Sequence, residues 1–433
     1  MSLSPWFILL ASVPVLLLGE FLCRRIGFLR KYNIPAPVVG GLLISVLLLC
    51  VSYLGIEISL QTKVTEIWWK WILSTPRDFG PDKSVEIAQP FMVSFFACIG
   101  LNASGSLAKK AGSGLGIFLL LCALLTTLQN IVGVSLASLL GQSPLLGLIC
   151  GSLALTGGHG TALGFADTLV KSGYESAHVV GVAAATFGLV AGGLIGGPVA
   201  SGLIRKFKLL GAYDSMASTE PEQSTHTVSN SAPMPTGFLT ELKELSTYGR
   251  SALLHLAVVA CCLKLGAFVS LFVVKSGLSF PVYIGAMIVG VLFRNLMDLT
   301  RVQRFQTHVF DLIGSVCLGI FLSIAMMSLQ LQQLGGSVAS MLIILTVQVA
   351  MMVAFARFIT FRLMGNDYDS AVMAAGHCGF GLGATPTAVA NMKSLVDAYG
   401  PAPRAFLIVP LVGAFLIDFI NTLVITGFLN WLD

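Results

Sequence analysis

Leu155-Thr156-Gly157-Gly158-His159-Gly160-Thr161-Ala162 and Ala375-Gly376-His377-Cys378-Gly379-Phe380-Gly381-Leu382-Gly383-Ala384-Thr385-Pro386-Thr387-Ala388 decide how this chain is read. Both stretches lie deep inside halves of a sequence that is otherwise a succession of apolar runs. Hydrocarbon offers no partner to a backbone N–H or C=O. Glycine and proline at membrane depth are therefore tolerated only where the loosened backbone is buried by protein or lines a polar cavity. The two stretches mark the expected solute site.

Around them the composition is that of a membrane protein. Of 433 residues, 55% are hydrophobic and 10% charged, with a mean hydropathy of +0.88; a soluble domain carries about 25% charged residues. Apolar runs near 5–22, 36–54, 88–103, 114–140, 178–203, 251–274, 280–296, 308–328, 338–361 and 404–428 approach the roughly 20 residues that a helix needs to cross a bilayer. The fold expected is an all-α integral membrane protein with about ten transmembrane helices. The first run follows Met1-Ser2-Leu3-Ser4-Pro5-Trp6, without a basic leader or small-residue cleavage site, and is read as an anchor. The nine cysteines stand singly apart from Cys261-Cys262. With no Cys-x-x-Cys spacing, they read as packing residues rather than as zinc or redox groups.

Charge placement sets the orientation. Arg24, Arg25, Arg30, Lys31, Lys109, Lys110, Arg205, Lys206, Lys208, Lys243, Arg250, Arg294, Arg301, Arg304, Arg362, Lys393 and Arg404 all fall on one side if the N-terminus is outside, and that side is the cytoplasm. Both termini are then outside and five crossings precede the central loop. Trp6, Trp68, Trp69, Trp71 and Trp431 fall on the outer side, as interfacial anchors do. No nucleic-acid partner is expected.

Three units follow. Residues 1–208 form a first repeat, 209–247 a cytoplasmic linker and 248–433 a second repeat. The linker contains the only long polar stretch, with Glu220-Pro221-Glu222-Gln223-Ser224-Thr225 and Ala232-Pro233-Met234-Pro235, too poor in apolar residues to fold alone. Phe238, Leu242 and Leu245 then recur among Glu241, Lys243 and Glu244, the pattern of a short amphipathic helix on the inner leaflet. The halves echo each other: Pro37-Val38-Val39-Gly40-Gly41 opens a helix in one, Pro281-Val282-Tyr283-Ile284-Gly285-Ala286 in the other. Gln129 precedes His159 by about the interval at which Gln348 precedes His377. An odd number of crossings between corresponding points makes these inverted-topology five-helix repeats, each with a re-entrant Gly-rich loop, near 145–165 from outside and near 370–392 from the cytoplasm. Broken helices from inverted repeats that meet near the midplane are the signature of a secondary transporter.

The chemistry expected of the loops follows from their residues. Half-helix ends offer free N–H groups and a positive dipole end to an anion, and Gly157, Gly158, Gly160 and Gly379 let it approach. Thr156, Thr161, Thr385 and Thr387 add hydroxyls that donate to a carboxylate or, with freed carbonyls, coordinate a hard cation such as sodium. Close helix packing by small residues is the alternative. His159 and His377 suit either proton coupling or, without titrating, a hydrogen bond to freed backbone. Asp418, with Asn421 one turn on, lies in the last apolar run, where an isolated carboxylate costs about 2.5–3.5 kcal/mol. Sodium would offset that cost, as would a structural partner such as Lys264 or Arg357. Asn102 and Gln129, with Asn130 beside it, either complete a sodium site or hydrogen-bond between helices.

Gly376 to Ala388 with Asn391-Met392, and Gly157-Gly158-His159-Gly160-Thr161, resemble the paired motifs of the bacterial sodium:glutamate symporter family. The resemblance extends to Ile99-Gly100-Leu101-Asn102, Ala185-Thr186-Phe187-Gly188-Leu189-Val190, Gly192-Gly193-Leu194-Ile195-Gly196-Gly197-Pro198, and Val412-Gly413-Ala414-Phe415 with Asp418. It leaves out the linker and the Trp-rich 57–88 segment. It implies sodium-driven import of L-glutamate across the bacterial inner membrane by a homodimer whose transport domain slides against a fixed scaffold. Cys378, Pro386 and Asn391 join the substrate-site candidates as parts of the motif that resembles the family's. Citrate or another carboxylate, or protons in place of sodium, give the nearest alternatives. A channel needs no inverted halves, and a membrane hydrolase finds no Ser–His pairing or His-x-x-Glu-His spacing.

Overall fold

The computed structural model describes residues 2–31, 34–55, 58–71, 73, 84–103, 112–209, 237–274, 282–300, 305–329 and 338–432. Within them, eight helices are long and apolar enough to cross a membrane, and the chain is an all-α multi-pass membrane protein. In chain order the main helices are α1 (Pro5–Arg25), α2 (Ala36–Tyr53), α3 (Gln89–Asn102), α4 (Gly112–Leu139), α5 (Pro144–Leu148), α6 (Gly158–Lys171), α7 (Ala177–Phe207), α8 (Phe238–Thr247), α9 (Arg250–Val274), α10 (Val282–Thr300) and α11 (Thr307–Met327). Then come α12 (Val338–Phe355), α13 (Tyr368–Leu382), α14 (Thr385–Tyr399), α15 (Pro403–Leu411) and α16 (Ile417–Leu432).

The apolar runs expected near 88–103 and 404–428 fall short of that length as single helices. In the second, Pro410 interrupts α15 and a π-helical turn, Val412–Leu416, precedes α16. A proline inside a helix removes one N–H and crowds the preceding turn, and a π turn absorbs the mismatch.

The helices pack as two groups. α2 lies against α1 and α11, α10 against α9 and α3, and α3 against α11, making one group; α7 lies against α6, α13 and α14, and α4 against α5, α12 and α16, making the other. Glycine sets the closest crossings. A Cβ on Gly40 of α2 would lie 2.1 Å from the Val15 carbonyl of α1, and one on Gly285 of α10 would lie 2.2 Å from the Gly266 carbonyl of α9. Helix pairs in hydrocarbon gain little from apolar burial, so such backbone approach is a main source of their attraction.

The 57–88 segment departs from the all-helical expectation. Ser59–Leu60 pairs in parallel with Ser2–Leu3, and Lys63–Val64 pairs antiparallel with Val85–Glu86. Trp6 stacks on Trp68 with ring centroids 5.1 Å apart, and Trp69 meets both edge-on. These tryptophans thus fasten the segment to the start of α1 as well as offering interfacial rings. The linker residues 210–236 lie outside the described residues, and α8 follows them. It is not free on a leaflet: the buried Phe238 gives its N–H to Glu20 of α1, Ser315 of α11 donates to Glu241 at 2.8 Å, and His308 meets Glu244 at 2.6 Å. Leu239 and Leu242 remain exposed.

Candidate functional site

In the second group each quoted Gly-rich stretch contains or adjoins a break in the helix. In the first half, α5 runs into a π turn, Ile149–Leu153, in which Gly151 is non-helical (φ −90°, ψ −141°), and residues 154–157 separate it from α6. Gly158 opens α6 with φ +63°, a left-handed conformation that costs glycine nothing and other residues about 1–2 kcal/mol. In the second half the break is narrower than the sequence suggested. Residues 375–382, including His377, Cys378 and Gly379, stay within α13, and only Gly383 and the extended Ala384 interrupt the chain before α14. Glycine alone did not unwind α13 because its neighbours bury it: Ala374, Ala375, Cys378 and Leu382 are all fully buried.

The two interruptions touch. The last carbonyls of a helix lack intrahelical partners, and the Gly381 carbonyl near the end of α13 takes two from the other half. Gln129 Nε2 donates to it at 2.8 Å, and Thr156 Oγ1 lies 3.2 Å from it, its single hydroxyl hydrogen shared with Gln129 Oε1. Thr156 stands 2.7 Å from that Gln129 Oε1, and Gln348 Nε2 donates to the Gln129 carbonyl at 2.7 Å. A Cβ on Gly158 would lie 3.2 Å from the Gly383 carbonyl, and one on Gly188 of α7 only 2.2 Å from that of Leu382. Thr156, Gln129, Gly158 and the end of α13 therefore form one polar junction.

Around that junction the remaining candidates take distinct places. Thr161 is buried beneath Gly157, whose Cβ would lie 2.6 Å from that of Thr161. Thr385 donates to the Gly413 carbonyl in the π turn at 2.5 Å, and Pro386 occupies the first turn of α14. The Thr387 hydroxyl is buried with no partner among the described residues. Asn391 donates to the Gly192 carbonyl at 2.9 Å, bracing α14 against α7. Gly160 has room for a Cβ. Asn421 donates to the Ser152 carbonyl at 3.1 Å.

Both His159 and His377 are buried, and among the described residues each meets a hydroxyl rather than backbone. His159 Nε2 meets the Thr186 hydroxyl at 3.0 Å, and His377 Nδ1 meets that of Thr360 at 2.9 Å. Phe118, Phe355 and Phe380 surround the His377 ring at 5.1, 5.7 and 5.2 Å. Thr186 sat inside a quoted motif without a role; Thr360, in a π turn of its own, gave no sequence signal at all.

Two candidates lie apart from one another and from the junction's hydrogen bonds. Asn102 donates to Asp311 at 2.5 Å, joining α3 to α11 in the first group. Asp418 starts α16 and has no ion pair among the described residues; Lys264 instead donates to the Trp71 carbonyl at 2.7 Å, and Arg357 lies over the Phe358 ring at 6.0 Å. No group of three His, Cys, Asp or Glu poised for a metal occurs among the described residues.

Interrupted helices that meet at a buried polar junction inside a membrane bundle are an arrangement found in secondary transporters. The chain belongs to the sodium/glutamate symporter family, which matches residues 1–72 and 71–401. It is 42% identical to the sodium/glutamate symporter of Haemophilus influenzae over 95% of this chain and 93% of that one. It is 38% identical to those of Escherichia coli and Shigella flexneri, in each case over 97% of this chain and 96% of the relative. No solved structure matches the chain.

Proposed function

We propose that the protein carries L-glutamate into the cell together with sodium, and that both are bound at the junction of the two interrupted helices. The observation that carries this reading is the Gly381 carbonyl, held from the opposite half of the chain by Gln129 and Thr156. A junction built from both halves can be released toward either face, which alternating access requires. Family membership supplies the cargo.

Two inverted repeats, residues 1–208 and 248–433, joined by the linker at 209–247, account for the matched contacts. α2 packs on α11 as α10 packs on α3, and Gly40 meets α1 as Gly285 meets α9. With the shorter apolar helices counted, ten crossings and two re-entrant hairpins, α5–α6 and α13–α14, result. The group of α1–α3 and α9–α11 is the scaffold, suited to homodimerisation, and the group that holds the junction slides against it. The chain lies in the bacterial inner membrane with both termini outside and the linker in the cytoplasm.

Glutamate's carboxylates meet the N-terminal ends of α6 and α14, at Gly158, His159 and Gly160 and at Thr385 and Thr387, where N–H groups of the first turn and the positive dipole end favour an anion; Gly157, whose N–H is held by the Ser152 carbonyl, and Pro386, which has none, shape the two turns. Thr161 and Thr387 add hydroxyl donors, beside Thr156, whose hydroxyl is held by Gln129; His377, Cys378, Gly379 and Asn391 form the wall behind them. Sodium takes neutral oxygens there, with Gln129 and Asn421 as the candidates beside the first interruption; Asn102, bonded to Asp311 in the other group, and Asp418 stand apart from it. An inward-negative potential opposes an anion by about 2.3 kcal/mol per charge per 100 mV, and co-entering sodium reverses that sign. If binding of either ligand favours the other, neither crosses alone.

The test is uptake of labelled glutamate, citrate and other carboxylates into proteoliposomes under an imposed sodium gradient or an imposed proton gradient. Glutamate accumulation that follows the sodium gradient supports the reading; accumulation driven by protons alone, or preference for citrate, overturns it.

A further inference from the structure

The π turn at Ile149–Leu153 is bordered by buried oxygens that nothing among the described residues satisfies. Ser152 Oγ, Asn421 Oδ1 and Gln348 Oε1 have no hydrogen-bond partner, and their residues are 0%, 1% and 0% exposed. An unmet buried acceptor costs about 1–3 kcal/mol. Three of them around one turn point to a ligand that the polypeptide does not itself provide.

Hydrogen bonds tie the three together. Asn421 Nδ2 donates to the Ser152 carbonyl at 3.1 Å, and the Ser152 N–H donates to Asn130 Oδ1 at 2.8 Å. Gln348 Nε2 donates at 2.7 Å to the carbonyl of Gln129, the residue before Asn130. Gly151 closes the circle, since a Cβ there would lie 2.6 Å from Asn130 Oδ1 and 3.1 Å from the Gln129 carbonyl. The π turn packs against α4, α12 and α16, which carry Asn130, Gln348 and Asn421. π turns inside helices frequently occur at functional sites.

The donor set selects the ligand. All three atoms are neutral oxygens of a hydroxyl and two amides, ligands that suit a hard cation, and neither thiolate nor imidazole joins them. A divalent ion taken from water into this setting would keep most of its charge uncompensated; a single positive charge asks less. Asn130 spends its oxygen on the Ser152 N–H and has only its amide nitrogen left, so it is a positioning residue and not a ligand.

We infer that Ser152, Gln348 and Asn421 give their side-chain oxygens to a sodium ion at the π turn. The inference rests on the sodium-coupled reading above and deepens it, because neither Ser152 nor Gln348 was a candidate from sequence. The ion joins α12 and α16 of the second half to the turn that leads, four residues on, to Thr156 of the glutamate junction. Sodium there orders Thr156 and its neighbours before glutamate arrives, a direct physical route for coupling.

The experiment is thermal melting of the purified full-length protein in NaCl titrated against KCl at constant ionic strength. The wild type is expected to be stabilised by sodium and not by potassium. Ser152→Ala should melt as the wild type does in KCl and need about tenfold more sodium for half of the effect, equivalent to about 1.4 kcal/mol. Asn421→Asp, which keeps an oxygen for the ion and adds charge while giving up the donor to the Ser152 carbonyl, should need less sodium than the wild type, a shift that misfolding cannot produce. Unchanged sodium dependence in both variants overturns the inference and assigns the atoms to an ordered water, while sodium-driven uptake by the wild type would leave the carrier reading standing. A wild type with neither sodium stabilisation nor sodium-driven uptake overturns both.

Discussion

Thr156 Oγ1 donates to Gln129 Oε1 at 2.7 Å, and the same Gln129 side chain donates through Nε2 to the Gly381 carbonyl at 2.8 Å. One amide thus bridges the interruption of the first half to the end of α13 in the second. Both Thr156 and Gln129 are buried, so the bridge is made away from bulk water, where leaving a partner unmet is expensive.

Thr156→Val keeps the shape of the side chain and removes its hydroxyl. Gln129 Oε1 then loses its donor, at a cost of about 1–3 kcal/mol. Glutamate uptake is expected to fall by about tenfold or more while the protein remains folded by size-exclusion profile. Uptake equal to the wild type would detach Thr156 from function.

Two glycines of α7 predict opposite outcomes. At Gly188 a methyl would lie 2.2 Å from the Leu382 carbonyl, whereas Gly197 has nothing within 4 Å of the same position. Gly188→Ala should force α7 from α13 and lower the melting midpoint and uptake together; Gly197→Ala should leave both near wild type and gain a little helix propensity. Equal tolerance of the two would contradict the close packing.

The histidines should not carry the coupling proton. His159 and His377 are each buried against a threonine hydroxyl, Thr186 and Thr360, and need no charge to satisfy that bond. His377→Gln is expected to leave the ratio of sodium-driven to proton-driven transport unaltered, whatever its effect on the rate. A variant that loses all response to a proton gradient which the wild type possesses would show the opposite.

Glu20 holds the start of α8 by accepting the Phe238 N–H, with Arg24 3.9 Å away on its other side. Glu20→Ala should speed amide exchange at 238–242 in hydrogen-exchange measurements, without affecting α13. Unchanged exchange would mean that Glu241 and Glu244 alone fix the helix.

Much of the bundle was legible because lipid leaves a helix few choices. Apolar length marked the spans, and glycine with proline marked where helix stops, though Gly376, Gly379 and Gly381 remain helical because tertiary burial outweighs their flexibility. Side-chain partnerships were not legible. Asn102 reads equally as a sodium ligand or as an interhelical bond until Asp311, 209 residues away, is placed beside it. Ser152 looks like an ordinary polar residue and Gln348 only like the counterpart of Gln129 in the repeat, and only the folded chain shows their oxygens without partners. The short strands of 57–88 carry two residues each, too few for any alternation to register.

Glutamate binding to the purified protein, titrated calorimetrically in sodium chloride and then in choline chloride at equal ionic strength, tests the central claim most directly. The account predicts that replacing sodium weakens glutamate binding by about tenfold or more, in line with typical coupling energies of 1–3 kcal/mol. Equal affinity in the two salts would contradict it.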